Sequence, residues 1–214
     1  MPLEEYRKKR KFSETPEPAG RVRHGGRTRI FVVQKHDASR LHYDFRLAIN
    51  GVLVSWAVPK GPSMNPADKR LAVRTEDHPL EYADFEGIIP EGHYGAGTVM
   101  VWDQGKYEPK DRTPPEEQLA RGKIDVVLDG KKLSGGFTLI QTGNRVAGSS
   151  DKKRWLLIKQ RDERADPTWD IDSPKLDRSV LTGRTLKEIA ENGSKKELTR
   201  LKRKQAQNKH RVNE

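Results

Sequence analysis

The segment Leu41-His-Tyr-Asp-Phe-Arg-Leu47 alternates apolar and polar residues without a break. In a strand, successive side chains point to opposite faces. Leu41, Tyr43, Phe45 and Leu47 therefore share one face, and His42, Asp44 and Arg46 share the other. The first set needs a core. The second sets an imidazole, a carboxylate and a guanidinium side by side, a trio that a strand facing only water seldom carries. His36 lies six residues upstream of His42, and Asp37-Ala-Ser-Arg40 reads as a tight connection that returns it beside His42. Two histidines and one carboxylate form an open, facial metal site. Mn²⁺, Fe²⁺ and Zn²⁺ can all use such a site, with positions left for water or phosphate. A His-x-Asp by itself is more often a polar strand face with hydrogen-bonded histidines. The phased alternation and the nearby His36 bring the metal reading level with that one.

Four of the six histidines, His36, His42, His78 and His93, fall between positions 36 and 93. His78 sits in Arg74-Thr-Glu-Asp-His-Pro79, just past an expected strand end, where functional loops gather. With Arg46, Arg70 and Lys60 it is expected to complete a phosphate-binding ring around a metal, since the Arg fork matches two phosphate oxygens. The stretch Ile89-Pro-Glu-Gly-His-Tyr-Gly-Ala-Gly97 is not a phosphate loop, because it lacks the Gly-Lys-Ser/Thr ending. Its glycines read as a tight turn, and His93 ranks well below His78 as a chemical group. No Lys-x-Asp-Gly of DNA ligases, no Gly-x-Ser-x-Gly and no His-Glu-x-x-His occurs. With no cysteine, thiolate zinc sites, disulfides and thiol nucleophiles are excluded.

The elements that must position these residues are mostly strands. Strand signals cover Ile30–Gln34, Leu41–Ala48, Val52–Val58, Leu71–Thr75, Thr98–Asp103, Ile124–Leu128, Phe137–Gln141 and Trp155–Lys159. Asn50-Gly51 is a two-residue hairpin signal, and Asp129-Gly130 marks another turn. Helical signals are few: Pro114–Arg121, Thr185–Glu191 opened by the capping-box spacing Thr185-Leu-Lys-Glu188, and a Lys-rich stretch Lys195–Lys209 that reads as helical or disordered. Many short strands at turn-punctuated intervals predict a mainly β protein, a compact closed β-barrel with a few short flanking helices. Residues 1–29 read as an extended, irregular basic arm, residues 30–190 as the barrel domain, and residues 191–214 as a basic tail.

The 214 residues suit one domain with tails, and the net charge is +11. Residues 1–30 carry nine Lys/Arg against four Asp/Glu, and residues 191–214 carry eight against three. The body is thus nearly neutral and the ends are basic. Basic ends either keep a protein soluble or bind a polyanion by releasing its counterions. No apolar h-region opens the chain and no run approaches ~18 apolar residues, so a cytoplasmic, nucleoid-associated protein with no membrane partner is expected, by default a monomer.

The residues resemble a known family, the 3′-phosphoesterase module of bacterial DNA ligase D and its free-standing bacterial and archaeal relatives. The marks are Tyr6-Arg-Lys-Lys-Arg10, Thr15-Pro-Glu-Pro18, Phe31-Val-Val-Gln-Lys-His36, Leu41–Leu47, Trp56-Ala-Val-Pro-Lys-Gly61, Glu76-Asp-His-Pro79, the Pro90–Gly97 loop, Trp155-Leu-Leu-Ile-Lys159 and Ser179-Val-Leu-Thr-Gly183. The resemblance implies a compact barrel and a Mn²⁺-preferring enzyme of double-strand break repair by end joining, with Co²⁺ or Zn²⁺ as other candidate metals. Such an enzyme acts on primer-template 3′ ends. It removes a terminal ribonucleoside to leave a 3′-phosphate, then removes the phosphate. By resemblance His36, His42 and Asp44 hold the metal; Arg46, His78, Lys60, Arg70 and Tyr82 handle phosphate; and Arg10 and Glu17 reach the site from the arm. Separate end-joining ligase, polymerase and Ku proteins would be the partners of a free-standing form, which the lack of ligase and polymerase motifs favours.

One position departs from the pattern. The family arm reads Lys-Arg-Asp-Phe, and this chain has Lys9-Arg10-Lys11-Phe12. Losing that carboxylate is expected to weaken the ribonucleoside-removing step more than the phosphatase step. Two rival functions share the triad: a β-barrel that binds nucleic acid without chemistry, and a non-haem iron oxygenase. The surrounding Arg and Lys residues favour phosphate over an organic co-substrate.

Overall fold

A computed structural model of the chain describes residues 3–22, 29–142 and 152–192. The described residues form ten strands: β1 (Ile30–Asp37), β2 (Leu41–Ile49), β3 (Val52–Val58), β4 (Lys69–Arg74), β5 (His78–Pro79), β6 (Gly87–Ile89), β7 (Gly97–Pro109), β8 (Lys123–Gly130), β9 (Ser134–Gln141) and β10 (Arg154–Lys159). Eight of them form an antiparallel ring in the order β1-β2-β3-β4-β10-β9-β8-β7, and β7 pairs back onto β1 to close it. The expected closed barrel is therefore the fold. Closure leaves no exposed ladder edge within the ring. The short β5 and β6 lie outside it, paired to β3 and β7.

Asn50 and Gly51 both adopt positive φ, 50° and 78°, the two left-handed residues that a type I′ hairpin needs. They fix the β2–β3 register at Ile49 opposite Val52. The turn expected around Asp129-Gly130 instead spans 130–133, where the buried Asp103 carboxylate accepts the N–H groups of Lys131, Lys132 and Leu133. Helix α2 (Pro115–Ala120) forms where it was expected. Residues 186–192 are helical, and the capping box is made: Glu188 accepts the Thr185 N–H while Thr185 Oγ1 accepts that of Glu188. The Lys195–Lys209 stretch lies outside the described residues. No described helix is long and apolar enough to cross a membrane.

Two hydrophobic clusters sit on opposite sides of the barrel wall. The interior is filled by Phe31, Val33, Tyr43, Phe45, Leu47, Trp56, Met100, Trp102 and their neighbours. The alternate residues of the same strands, Val32, Ala48, Leu53, Val99 and Val101, form the second cluster with Tyr6, Tyr82, Ala83, Phe85 and Ile89. That cluster lies outside the ring. It is covered by helix α1 (Glu4–Lys8) and by the chain from β5 through the 3₁₀ turn Leu80–Asp84 to β6. The beginning of the chain is thus not simply extended. Leu3 and Tyr6 are fully buried, Tyr6 donates its hydroxyl to Pro18 O at 2.6 Å, and each buried apolar side chain contributes roughly 1.5–3 kcal/mol.

Candidate metal and phosphate site

Cross-strand register assembles the site. His36 pairs directly with His42 across β1 and β2, and Gln34 pairs with Asp44. Side-chain alternation puts all four, with Arg46, on the outer face of the barrel, opposite Tyr43 and Phe45. The imidazole ring centres are 4.8 Å apart. His36 Nδ1 lies 3.6 Å from Asp44 Oδ2, and His42 Nε2 lies 3.8 Å from Asp44 Oδ1. The three candidate ligand atoms fall within 4.8 Å of one another.

The far nitrogen of each ring decides whether this group suits a metal. His36 Nε2 is 3.0 Å from Gly95 O, and His42 Nδ1 is 2.9 Å from Arg40 O. A carbonyl oxygen only accepts, so each far nitrogen carries the proton. The near nitrogens, His36 Nδ1 and His42 Nε2, therefore turn lone pairs toward Asp44. Backbone carbonyls fix the tautomer and orientation of metal-binding histidines in this way. The three residues fit a divalent cation.

Arg46 holds the carboxylate in place. It donates through Nη2 to Asp44 Oδ2 (3.1 Å), through Nε to Gln34 Oε1 (2.8 Å) and through Nη1 to Ser55 Oγ (2.8 Å). Burial alone would raise the Asp44 carboxyl, but the Arg46 guanidinium outweighs it and keeps the group ionised well below the usual carboxylate range. Gln34 is itself anchored, donating to Tyr82 O and Phe85 O.

His78 is not on an exposed loop; it lies in β5, opposite Leu53 and buried. Its Nδ1 is 2.9 Å from Glu76 O and 3.0 Å from Arg46 Nη1. Those neighbours demand opposite protonation of the same nitrogen. On the other edge, Nε2 is 3.3 Å from Arg10 Nη2, which can only donate. The tautomer with Nδ1–H on the Glu76 carbonyl and the Nε2 lone pair on Arg10 satisfies both edges. Burial, then the Arg46 and Arg10 guanidinium groups, push the imidazole well below its ordinary value. His78 is a neutral spacer between two arginines.

Arg10 comes from the chain just after α1. It donates to Glu17 Oε1 (2.7 Å) and Glu76 Oε1 (3.1 Å), and its guanidinium lies 3.9 Å from the Tyr6 ring centre. The Tyr82 hydroxyl donates to Glu17 Oε1 (3.1 Å), and burial keeps it a phenol. Lys9 reaches Glu76 Oε2 at 3.1 Å. Three carboxylates (Asp44, Glu17, Glu76) thus face three cations (Lys9, Arg10, Arg46). Adding a divalent ion would leave the site with the charge that a phosphate dianion neutralises.

Of the residues named from the sequence, the fold brings together His36, His42, Asp44, Arg46, His78, Tyr82, Arg10 and Glu17. It turns Arg70 away from them. Arg70 shares the face of the interior residue Ala72 and pairs with Asp68 at 2.8 Å, on the other side of the barrel wall. Lys60 is exposed just past β3. Among the described residues neither makes a hydrogen bond or ion pair with the triad. Of the expected ring, Arg46 and His78 meet at 3.0 Å, while Arg70 takes the other face of β4, which spacing along the chain did not reveal. Lys11 has a 75% exposed side chain and only a loose pair with Glu14 at 3.9 Å. His93 approaches Glu14 at 3.7 Å, while its loop serves the site through the Gly95 carbonyl. Gln34, Ser55 and Glu76, not singled out by residue type or spacing, also build the site by accepting from Arg46 and Arg10. A signal for the first two existed: Gln34 has the strand phase of His36, and Ser55 interrupts the apolar run Val52–Val58.

A family model described as the DNA ligase D 3′-phosphoesterase domain matches residues 34–141, half of the chain, taking in the triad, Arg46, His78 and Tyr82. The chain is 53% identical over 189 residues to the multifunctional non-homologous end joining protein LigD of Pseudomonas aeruginosa, covering 86% of this chain and 22% of that protein. Its identity to the protein of the same name from Mycolicibacterium smegmatis is 45% over 167 residues, 76% of this chain and 21% of the relative. For the LigD non-homologous end joining DNA repair protein of Mycobacterium tuberculosis it is 44% over 174 residues, 80% and 21%. The chain spans about a fifth of the length of these relatives. With the family match running through the residues that build the site, the chain belongs to the DNA ligase D 3′-phosphoesterase domain family.

Proposed function

We propose that this chain is a divalent-metal-dependent phosphoesterase that heals DNA 3′ ends, removing a terminal ribonucleoside and then the 3′-phosphate. The observation that carries the reading is the pair of near-side imidazole lone pairs set around an ionised, buried carboxylate, next to two buried guanidinium groups. His36, His42 and Asp44 would hold the ion, Mn²⁺ by family resemblance, while Co²⁺ or Zn²⁺ suits the same mixed imidazole–carboxylate donors. When bound, it supplies Lewis-acid stabilisation of charge developing on phosphate oxygens.

The chain's own groups do the rest. Arg46 and Arg10 present the remaining Nη2 protons to non-bridging oxygens, a preorganised arrangement that costs no rearrangement as charge builds. His78, neutral with its proton committed to the Glu76 carbonyl, spaces the two arginines, so its role is positioning rather than protonating the leaving oxygen. Tyr82 and Glu17 orient Arg10. Residues 1–29 act as an arm that completes the site with Arg10 and Glu17, residues 30–190 as the phosphoesterase barrel, and the basic ends contact the duplex backbone without sequence preference. The relatives' names support a place in non-homologous end joining. DNA ends at the nucleoid would be the substrate, with end-joining ligase, polymerase and Ku activities as partners.

The test uses two primer-templates, one ending in a labelled 3′-phosphate and one in a single ribonucleotide, incubated with Mn²⁺ beside a His42→Ala control. Wild type trims both ends and the control trims neither. Loss of the ribonucleotide step alone would point to Lys11 in place of the family's Asp. DNA binding with no change at either end would leave a non-catalytic nucleic-acid-binding barrel.

A further inference from the structure

Tyr94 lies beside the site, and no role has been given to it above. It precedes Gly95, whose carbonyl fixes the His36 tautomer. The loop is held by two turn hydrogen bonds, His93 N–H to Pro90 O (3.3 Å) and Ala96 N–H to His93 O (3.1 Å). Gly92 and Gly95 take positive φ of 82° and 75°, which glycine adopts at little cost. Tyr94 is 50% exposed, one of five large apolar side chains that the described residues leave in solvent.

Its ring is nevertheless held. Lys9 Nζ lies 4.5 Å from the ring centre and Arg10 Cζ lies 5.7 Å from it. Lys9 also donates to the phenol oxygen at 3.4 Å and to Glu76 at 3.1 Å. Cations against a π face fix an aromatic ring without burying it. The result is a half-exposed aromatic surface beside Arg10, the guanidinium assigned to the phosphate. A nucleoside joined to that phosphate through O3′ extends one sugar away, the distance at which a rim aromatic meets sugar and base.

We propose that Tyr94 is the platform on which the terminal nucleobase of the 3′ end stacks, so that it selects a nucleoside-bearing end over a bare phosphate ester. This rests on the 3′-phosphoesterase reading. Stacking tolerates any base, because every base has a π face, which suits an enzyme that must accept any broken end. Tyr94 would then act on binding and not on the bond-breaking step.

The experiment compares a duplex bearing a 3′-phosphate on a terminal nucleoside with the same duplex ending in an abasic deoxyribose 3′-phosphate. For Tyr94→Ala, KM on the nucleoside end should rise about tenfold, the scale of one lost base–aromatic stack, with kcat retained. On the abasic end, wild type and Tyr94→Ala should share one KM. Tyr94→Phe, which keeps the ring and loses only the hydroxyl, should restore nucleoside discrimination. An equal KM rise on both ends, a fall confined to kcat, or failure of Tyr94→Phe to rescue would overturn the platform. The same two duplexes, bound without turnover and followed by fluorescence polarisation, give the discrimination as a Kd ratio. A wild type that discriminates in binding but cleaves nothing would sink the enzyme reading and leave the platform standing. A wild type that cleaves without discriminating would do the reverse.

Discussion

Arg46→Met probes the part of the site that the structure makes most demanding. Among the described residues the Arg46 guanidinium is the one permanently charged partner of Asp44, 3.1 Å away, and both are almost fully buried. Met fills the volume of the aliphatic stem but leaves an ionised carboxylate without its cation, and Gln34 Oε1 without its donor. Ser55 keeps its own donation to Leu53 O, so it adds little to the cost. Removing one partner of a buried pair typically costs about 3–5 kcal/mol. For a chain of this size, that lowers Tm by roughly 6–20 °C. The measurement is thermal unfolding by circular dichroism, in chelator and in excess Mn²⁺. In chelator the whole deficit should appear. With Mn²⁺ it should shrink, because an ion on the triad gives Asp44 a replacement counter-charge and binding stabilises only the folded state. A double-mutant cycle with Asp44→Asn should show a coupling of about 1 kcal/mol or more. Additive single losses, or a deficit in chelator below about 1 kcal/mol, would refute the claim that Arg46 neutralises Asp44.

Two further outcomes follow from the geometry. Burial and the flanking Arg46 and Arg10 hold the His78 imidazole below its unfolded value of 6.5. Below that pH the unfolded chain binds the extra proton, so His78 favours folding fully above 6.5 and loses that contribution as pH falls, with a slope approaching about 1.4 kcal/mol per unit. Urea unfolding at several pH values should show His78→Asn, which retains a donor for the Glu76 carbonyl, with a shallower acid slope than wild type; parallel slopes would show that His78 is protonated in the folded protein. Gly97 opens β7 with φ +143°, and a Cβ there would fall 2.2 Å from Asp37 O, at the end of the strand that carries His36. Gly97→Ala should cost about 2 kcal/mol or more and weaken Mn²⁺ binding by calorimetry, and an unchanged affinity would show that the end of β1 does not set the His36 ligand.

Much of this protein was legible along the chain because β-structure writes its faces into alternate residues. The period-two pattern of Leu41–Leu47 separated the core face from the chemical face, Asn50-Gly51 fixed the hairpin register, and His36 could be placed beside His42 across a short connection. Those are local constraints of backbone geometry and side-chain alternation. The capping box at Thr185 and Glu188 was readable for the same reason. The chain alone did not show that the chemical face is the outside of the barrel, covered by α1 and the Leu80–Asp84 turn. It did not separate Arg46, on that face, from Arg70, which closure of the ring turns to the interior side. Nor did it show that His78 would be clamped neutral between Arg10 and Arg46, two groups from distant parts of the chain. Local sequence determines which side of a strand a residue takes, but which side becomes core, and which distant charges meet across it, is decided only when the ring closes and the start of the chain packs back against it.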